Sequence, residues 1–285
     1  MATTSIEMRP VRTSDRELVG ELVAEVWEGH DYIPDVFDDW VADPGAWFQA
    51  AEVDGELVGI QRLRPIAKDV VWYEGLRVAP NRRRQGLARA MLTAAASQAR
   101  TLGFDEMRLA TANPDAIALF NSAGFRLLVA PRLWRGRRVE GEEPARMPSP
   151  ADAGRLLAIL REDPALQTYG GVMANGEWAL DVDAELITRL ASEGALRITA
   201  GGRALAAVRE GWGGDHLWAY FISGSGGALQ ELLLALRFES DSLGMDGVSL
   251  WAPEGHPAEE DFKASGYDSE AVPFRMSYFA LKLDR

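Results

Sequence analysis

The chain has 285 residues, which is enough for two domains, and its 47% hydrophobic and 26% charged residues are ordinary for a globular protein. A formal net charge of −13 disfavours binding to nucleic acid, because such a surface repels phosphate. The absence of cysteine excludes disulfides, thiolate metal sites and a cysteine nucleophile, and the three histidines are not spaced as a metal pair, so we predict no metal site.

The N-terminal residues show no targeting signal. Residues 1–10 contain no basic segment followed by an apolar one, and no apolar run in the chain reaches the length needed to span a bilayer. We therefore expect a cytoplasmic protein that does not bind membranes.

Residue patterns in the first half predict alternating strands and helices. Strands show period-two alternation, and helices show apolar residues three and four apart. Ser14 and Glu17 resemble a capping box, which predicts a helix from there to about Trp27. The other predicted elements are, in chain order, a strand at 6–11, a short helix after Pro34, strands at 47–53 and 56–63 joined by an Asp54-Gly55 turn, a strand at 70–78, a long helix from Gly86 to about Leu102, a strand at 107–111, a helix at 115–123 and a strand at 125–129.

The second half repeats the order of the first. Residues 102–105 and 243–246 are alike, and each segment is followed by a strand, a helix, a glycine turn and an aromatic residue. This pattern indicates duplication of a whole domain, with a chance similarity of two α/β segments as the alternative. Residues 139–150 contain glycine, glutamate and proline in the manner of a linker, so the predicted domains are 1–138 and 151–285.

The segment between the fourth predicted strand and the long helix is the strongest functional signal. Arg82, Arg83, Arg84 and Arg89 surround Gly86 in an otherwise acidic chain. The first N–H groups of a helix lack intrahelical partners and carry partial positive charge, so a phosphate fits there, and glycine allows close approach. The pattern indicates a phosphate-binding loop, with a solvated charge run as the alternative. It is neither a P-loop nor a dinucleotide fingerprint, because the residues that define those motifs are missing.

Three segments around this loop resemble the GNAT superfamily of acetyltransferases. Arg83 to Ala88 is similar to the family signature of Arg or Gln, two residues, Gly, one residue, and Gly or Ala. Leu76 to Pro80 resembles the strand that precedes the family's loop, and Asn113 to Phe125 resembles its later helix and Gly-Phe. The resemblance implies an α/β (α+β) fold of tandem GNAT domains, each a mixed, splayed sheet flanked by helices.

The same resemblance implies how acetyl-CoA would bind in the first half. Its pyrophosphate would lie on backbone N–H groups of the loop, and its pantetheine arm would pair with the strand before the loop. Asn113 matches a family position that contacts the cofactor arm, and a helix N-cap is its alternative role. The implied cofactor-binding residues are Leu76, Val78, Arg83, Arg84, Gln85, Gly86, Leu87, Ala88 and Asn113.

The resemblance also implies the chemistry. GNAT enzymes transfer acetyl directly from the thioester to an amine, with a base that removes the amine proton and an acid that protonates the leaving thiolate. Glu74 is the candidate base, on the predicted face of Leu76, and an ordinary strand glutamate is the alternative. Phe120 stands where many members have tyrosine, so Tyr32 is the candidate acid, with Tyr73 or water as alternatives. The missing tyrosine also leaves open a protein that binds acyl-CoA without turnover.

His30 to Pro34, with Phe37, Trp40 and Trp47, lies where the family builds its acceptor pocket. Together with the strand at 74–80 this segment is similar to amino-acid N-acetyltransferases of the histidine-acetylating type. We predict a primary amine of a small molecule as the acceptor, with an amino acid as one candidate; in the alternative, the aromatic residues only pack the core.

The second half has no equivalent of the basic loop. Ser223 to Gly227 takes its place without any arginine. We therefore expect little affinity for acetyl-CoA there and a structural role for this half, in a protein that is a monomer or a homodimer.

Overall fold

The computed structural model describes residues 6–141, 143, 145–270 and 275–284. Residues 1–5, part of the segment inspected for a targeting signal, lie outside the described residues, as do Glu142 and Pro144 of the predicted linker.

Contacts divide the chain into two compact units. The first is formed by the described residues of Met1–Ala110, Pro114–Arg126 and Phe279–Arg285, and the second by those of Thr111–Asn113 and Leu127–Tyr278. Each unit thus takes segments from both halves of the sequence. The domain boundaries proposed from the sequence stay a prediction about the duplicated segments.

Helices and strands alternate along the chain in the order that the first-half patterns predict. The elements are β1 (Glu7–Pro10), α1 (Arg16–Val23), α2 (Ile33–Ala42), β2 (Trp47–Val53), β3 (Glu56–Pro65), β4 (Val70–Val78), α3 (Leu87–Thr101), β5 (Glu106–Thr111), α4 (Pro114–Ser122), β6 (Arg126–Val129), β7 (Pro131–Arg137), α5 (Ala153–Glu162), α6 (Pro164–Thr168), β8 (Val172–Ala174), β9 (Ala179–Asp181), α7 (Ala184–Ser192), β10 (Leu196–Ile198), β11 (Leu205–Glu210), β12 (His216–Ser223), α8 (Gly226–Ser242), β13 (Gly247–Pro253), α9 (Glu259–Ala264), β14 (Tyr267–Glu270) and β15 (Ser277–Lys282).

The first unit is built on a mixed sheet. Its first four strands form consecutive antiparallel pairs, and β5 joins β4 in parallel. The chain reaches β5 through α3, the crossover that a parallel pair requires. The C-terminal residues extend this sheet beyond β5, where the Leu283 N–H donates to the Asp105 carbonyl at 2.8 Å and Phe279 is buried beside Met107.

Apolar side chains cover both faces of this sheet. Tyr73 and Val71 of β4 pack on one face against α3, whereas Ile60 of β3 packs on the other face against α1 and α2. The α3 side includes Leu92, Ala95, Ala99, Met107 and Leu109, and the α1–α2 side includes Val19, Leu22, Ile33, Phe37 and Ala50.

The first helix differs from its prediction. Residues 13–15 form a 3-10 turn before α1, and α1 ends before the predicted Trp27. The capping residue is Asp15 rather than the predicted Glu17: its carboxylate accepts the Arg12 N–H at 2.7 Å, and it also accepts from Arg9 at 2.6 Å. The hydrogen bond from Arg9 lowers the pKa of Asp15, so a contact with β1 stabilises the start of the helix.

The side chains of β4 change faces at Gly75. Arg62 of β3 lies opposite Glu74, and beyond this pair β4 carries one more residue than β3, which is a β-bulge. Gly75 has a φ of 69°, which favours glycine. Leu76 and Val78 therefore pack toward α3, whereas Glu74 meets Arg62 on the α2 side. The prediction that Glu74 and Leu76 share a face is wrong, because strict alternation of side chains does not allow for the extra residue of a bulge.

The second unit repeats this arrangement. β10, β11 and β12 pair antiparallel, and β13 joins β12 in parallel after the crossover helix α8. Leu229, Leu232, Leu233 and Leu236 of α8 are buried against this sheet, which also contains β7 and β14. The predicted fold of two mixed sheets flanked by helices is confirmed. Among the described residues, the helices are too short or too polar to cross a membrane.

Gly75 offers a test of the bulge. An added Cβ would lie 2.8 Å from Trp40 Cζ3, whereas at Gly55, with a φ of 80°, it would contact nothing within 4 Å. We expect Gly55→Ala to lower the free energy of unfolding by about 1 kcal/mol through backbone strain. Gly75→Ala should cost about 2 to 4 kcal/mol because overpacking adds to the strain. Urea denaturation measures both, and equal losses would contradict the close packing at Gly75.

Candidate active site

β4 and β5 move apart toward the C-terminal end of β4, which is the end that leads to α3. Their parallel pairing covers Val70–Trp72 and Glu106–Arg108 and stops there, although both strands continue. Backbone groups beyond the last paired residues therefore face a gap instead of a neighbouring strand.

The backbone of Val78 points into this gap. The Ala79 N–H donates to a β3 carbonyl at 2.9 Å, so the backbone groups of Val78, the preceding residue, point to the opposite edge. Because backbone directions alternate along a strand, the backbone groups of Leu76 point to the same edge as those of Val78. The guanidinium groups of Arg83 and Arg77 donate to the carbonyls of Val78 and Leu76 at 3.3 and 3.1 Å. Polar groups can therefore reach this strand edge.

α3 begins with backbone donors that have no helical partner. Its first hydrogen bond runs from the Ala90 N–H to the Gly86 carbonyl at 3.0 Å, so the N–H groups of Leu87, Ala88 and Arg89 have no intrahelical acceptor. Gly86 is the N-cap residue, with a φ of 81°. An added Cβ at Gly86 would contact nothing within 4 Å, so the space beside it is open.

The loop before α3 supplies cationic side chains to this open space. Arg83, Arg84 and Gln85 are exposed, and Arg84 has a φ of 62°. Gln85 Nε2 donates to a loop carbonyl at 3.2 Å, whereas Arg82 is paired with Glu56. Free N–H groups, an open glycine and two exposed arginines together fit a phosphate or diphosphate group.

Asn113 lies just before α4. Its N–H donates to Thr111 Oγ1 at 3.1 Å. Both residues belong to the second unit, whereas the loop at 83–88 belongs to the first. The role of Asn113 in binding a cofactor stays a prediction.

Glu74 is bound by two arginines. Arg62 Nη1 lies 2.5 Å and Arg64 Nε 3.3 Å from its carboxylate, and Arg62 Nη2 lies 2.5 Å from Asp43. Arg62 is 5% exposed and lies over the Trp40 ring at 4.7 Å. A buried guanidinium is stable only with carboxylate partners. The pairing of Arg62 with Glu74 therefore persists in the folded protein and fixes the position of the Glu74 carboxylate.

Tyr32 belongs to the same cluster. Its ring lies 5.9 Å from Trp40 and 5.6 Å from the Arg77 guanidinium, which binds Asp31 through Nε at 2.6 Å. Although 37% of Tyr32 is exposed, desolvation by its neighbours raises the pKa of its hydroxyl to about 12, against the opposing charge of Arg77. Glu74 contributes to this rise. The structure thus brings the candidate base and the candidate acid into one electrostatic cluster.

The alternative acid, Tyr73, lies in the core. It is 2% exposed, its hydroxyl donates to Gln61 at 3.0 Å, and its ring packs on Phe120 at 6.3 Å. Burial raises the pKa of Tyr73 further than that of Tyr32. Phe120 also contacts Phe125 in this core, so its side chain serves packing.

The aromatic residues predicted around the acceptor divide into two groups. Phe37 is buried against Phe48, and Trp47 packs on Phe104, as core packing requires. Trp40 contacts Tyr32 and Arg62 and therefore belongs to the cluster with the candidate acid and base.

Sequence reasoning missed Arg62 and Arg77 as members of this cluster. Both are charged residues within apolar strands, and that is the signal that could have identified them. Their partners Asp43 and Asp31 are distant in sequence, so pairing could not be read from the pattern. Among the described residues, histidines and carboxylates form no group of three that could hold a metal ion.

Sequence comparisons connect the first half to known acetyltransferases. The profile of the acetyltransferase (GNAT) family matches residues 13–125. An aminoglycoside N(6′)-acetyltransferase type 1 of Klebsiella aerogenes is 32% identical over 143 residues, which are 45% of this chain and 94% of that protein.

Two solved structures share the fold over nearly the whole chain. A GCN5-related N-acetyltransferase from Sphaerobacter thermophilus has a TM-score of 0.59 at 14% identity, over 98% of this chain and 96% of its own. A tandem GNAT protein from the clavulanic acid biosynthesis pathway has a TM-score of 0.54 at 17% identity, over 99% of both chains. At such identities the likeness shows the fold alone. The family profile matches this chain, and the chain covers 94% of a relative that is 32% identical to it. This chain therefore belongs to the GNAT family and is an N-acetyltransferase.

Proposed function

We propose that the chain transfers acetyl from acetyl-CoA directly to a primary amine of a small molecule, at a site in its first unit. The observation that carries the proposal is the open start of α3 beside the gap between β4 and β5. The absence of cysteine agrees with direct transfer, since no thiolate could carry the acetyl group.

Backbone groups would hold most of the cofactor. The first turn of α3, with the Arg83 and Arg84 side chains, would bind the diphosphate, and the edge of β4 at Leu76 and Val78 would bind the pantetheine arm. When bound, acetyl-CoA supplies a thioester carbonyl that an amine can attack. Gln85 stays a predicted contact of the diphosphate through its backbone N–H, and Asn113 stays a predicted contact of the cofactor arm.

Tyr32 is the proposed proton donor. Its pKa of about 12 means that the hydroxyl keeps its proton at neutral pH. Exposure of part of the side chain lets it donate that proton to an anion formed nearby, which the core hydroxyl of Tyr73 cannot do.

Glu74 is the proposed base. Arg62 and Arg64 both donate to its carboxylate, which is the group that would accept the proton. Their contacts also fix its direction, so that proton transfer from an acceptor amine, directly or through water, occurs at one position.

The acceptor is proposed to be a cationic small molecule. Asp35, Asp38 and Asp39 are exposed on α2, and the chain has a net charge of −13, so its field attracts protonated amines. Because the Klebsiella relative is named for aminoglycosides, amino sugars join amino acids in the first acceptor panel. Acetyl-CoA binding without turnover on the whole panel would favour a binding protein instead. A monomer or homodimer stays the predicted assembly.

The first test addresses the helix start. Arg83→Glu combined with Gly86→Asp places carboxylates where the diphosphate would lie, and each lost charge-assisted hydrogen bond costs about 1.5–3 kcal/mol. We expect the Kd for acetyl-CoA, measured by calorimetry, to rise by about 100-fold or more. Arg100→Glu, at the exposed far end of α3, changes the same kind of charge and should leave the Kd nearly unchanged. Equal affinities of all three proteins would contradict the site.

Glu74→Gln tests the base. Loss of general base catalysis lowers kcat by about 100-fold, whereas the Kd for acetyl-CoA should stay the same because the carboxylate lies away from the helix start. Glu21→Gln, on the exposed face of α1, serves as the control. Steady-state kinetics with an accepted amine give the result, and normal turnover in Glu74→Gln would exclude this role.

Tyr32→Phe tests the acid, with Tyr73→Phe as its control. We expect kcat to fall by about 100-fold for Tyr32→Phe and to change little for Tyr73→Phe, which instead loses a core hydrogen bond. Since the pKa of Tyr32 is raised to about 12, its proton is lost only near that pH, so the wild-type rate should not decline between about pH 8 and 10 through this group. A reversed order of the two variants would contradict the assignment.

A further inference from the structure

The second unit contains a strand gap like the one between β4 and β5. β12 and β13 pair in parallel over His216–Ala219 and Gly247–Leu250, and pairing stops there although both strands continue. α8 begins soon after β12, as α3 follows β4. The second unit thus has both backbone features that form the proposed acetyl-CoA site in the first.

Tyr169 fills the gap in the second unit. Its hydroxyl donates to the Trp251 carbonyl of β13 at 3.0 Å and accepts from the Ile222 N–H of β12 at 3.2 Å. Only 1% of Tyr169 is exposed. One buried hydroxyl therefore bridges the two strands just beyond their last paired residues.

His256 satisfies the other backbone group of Ile222. The Ala258 N–H donates to His256 Nδ1 at 3.2 Å, which assigns the ring proton to Nε2, and Nε2 lies 3.2 Å from the Ile222 carbonyl. Burial lowers the pKa of His256, so the neutral ring fits this network. Both groups that Ile222 directs into the gap are bonded to side chains of the same unit.

Two carboxylates bind backbone N–H groups at or just before the start of α8. Asp261 accepts the Gly226 N–H at 2.9 Å and the side-chain amide of Gln230 at 2.8 Å. Asp163 accepts the Gly224 N–H at 2.6 Å. A carboxylate thus already binds the first N–H of α8, one of the donors that a phosphate at this helix start would use.

We propose that the second unit is a cofactor cleft sealed by its own side chains, so that each chain binds a single acetyl-CoA. Tyr169 takes the place of the pantetheine arm, and Asp163 and Asp261 take the place of the diphosphate. The proposal that each chain binds one acetyl-CoA rests on the proposed function of the first unit. The proposal that the cleft of the second unit is sealed rests only on contacts within that unit.

Displacement of these groups is unfavourable for two physical reasons. A ligand arm would break both hydrogen bonds of the Tyr169 hydroxyl, and a diphosphate would approach two carboxylates of like charge. Arg203 lies beside Ser225 at the surface of this region, but Glu231 lines the same opening and offsets its charge.

Calorimetry tests the count of sites. We expect one acetyl-CoA per wild-type chain, and in the Arg83→Glu/Gly86→Asp variant only binding that is at least about 100-fold weaker. A second site on the wild-type chain, or a site of wild-type affinity that persists in the variant, overturns the sealing. A wild-type chain that binds no acetyl-CoA overturns the proposed function, and the sealing is then decided by the next measurement.

Hydrogen exchange tests the seal itself. Tyr169→Phe removes a hydroxyl with two backbone partners, whereas Tyr267→Phe removes a buried hydroxyl that donates only to the Leu233 carbonyl at 2.9 Å. We expect the Ile222 amide to exchange at least about tenfold faster in Tyr169→Phe and at the wild-type rate in Tyr267→Phe. The fall in Tm should be roughly twice as large for Tyr169→Phe. Unchanged exchange at Ile222 in Tyr169→Phe overturns the proposal.

Discussion

The incomplete pairing of β4 determines what the first unit can bind. Backbone donors and acceptors need partners, and β4 finds them on β3 along most of its length but on β5 only at Val70–Trp72. In the described part of the chain, the rest of its outer edge has no neighbouring strand, and this is where we propose that the cofactor arm binds. Because α3 starts a short loop beyond this strand, the free N–H groups of its first turn lie near the same edge. One interruption of the ladder therefore creates a strand edge for an extended chain and an anion site beside it.

The bulge at Gly75 separates the proposed cofactor-binding edge from the proposed base on the same strand. It directs Leu76 and Val78 toward α3 and leaves Glu74 on the α2 side, where Arg62 is buried between two carboxylates. A buried charge is stable only with such partners, so this ion pair is also what fixes the side chain proposed as the base. Glu74 and the strand edge at Leu76 and Val78 are thus close together in sequence on β4, but different contacts fix their positions.

Local patterns in the sequence predict much of the fold and the loop. The bounds of β2 and β4, the Asp54-Gly55 turn and the glycine at the start of α3 follow from alternation and from glycine's tolerance of positive φ. The face of Glu74 could not be predicted, because the bulge depends on pairing with β3. The role of Arg62 was missed for a similar reason: its pairing with Asp43 joins residues that only the folded sheet brings together. Each unit takes segments from both halves of the sequence, and this too depends on long-range strand pairing, which no local pattern encodes.

A duplicated fold can lose its ligand only if the backbone groups that bound it acquire other partners. Strand gaps and helix starts belong to the topology, so they persist in both units after their sequences diverge. In the second unit, Ile222 directs its backbone groups to the place where a cofactor arm would bind, and the buried side chains of Tyr169 and His256 bond to them. An unpaired buried N–H costs about as much as a lost hydrogen bond, so a unit without ligand is more stable when the tyrosine fills the gap. This constraint accounts for the side chains that close the second site, whereas in the first unit the N–H groups at the start of α3 stay available for the proposed cofactor.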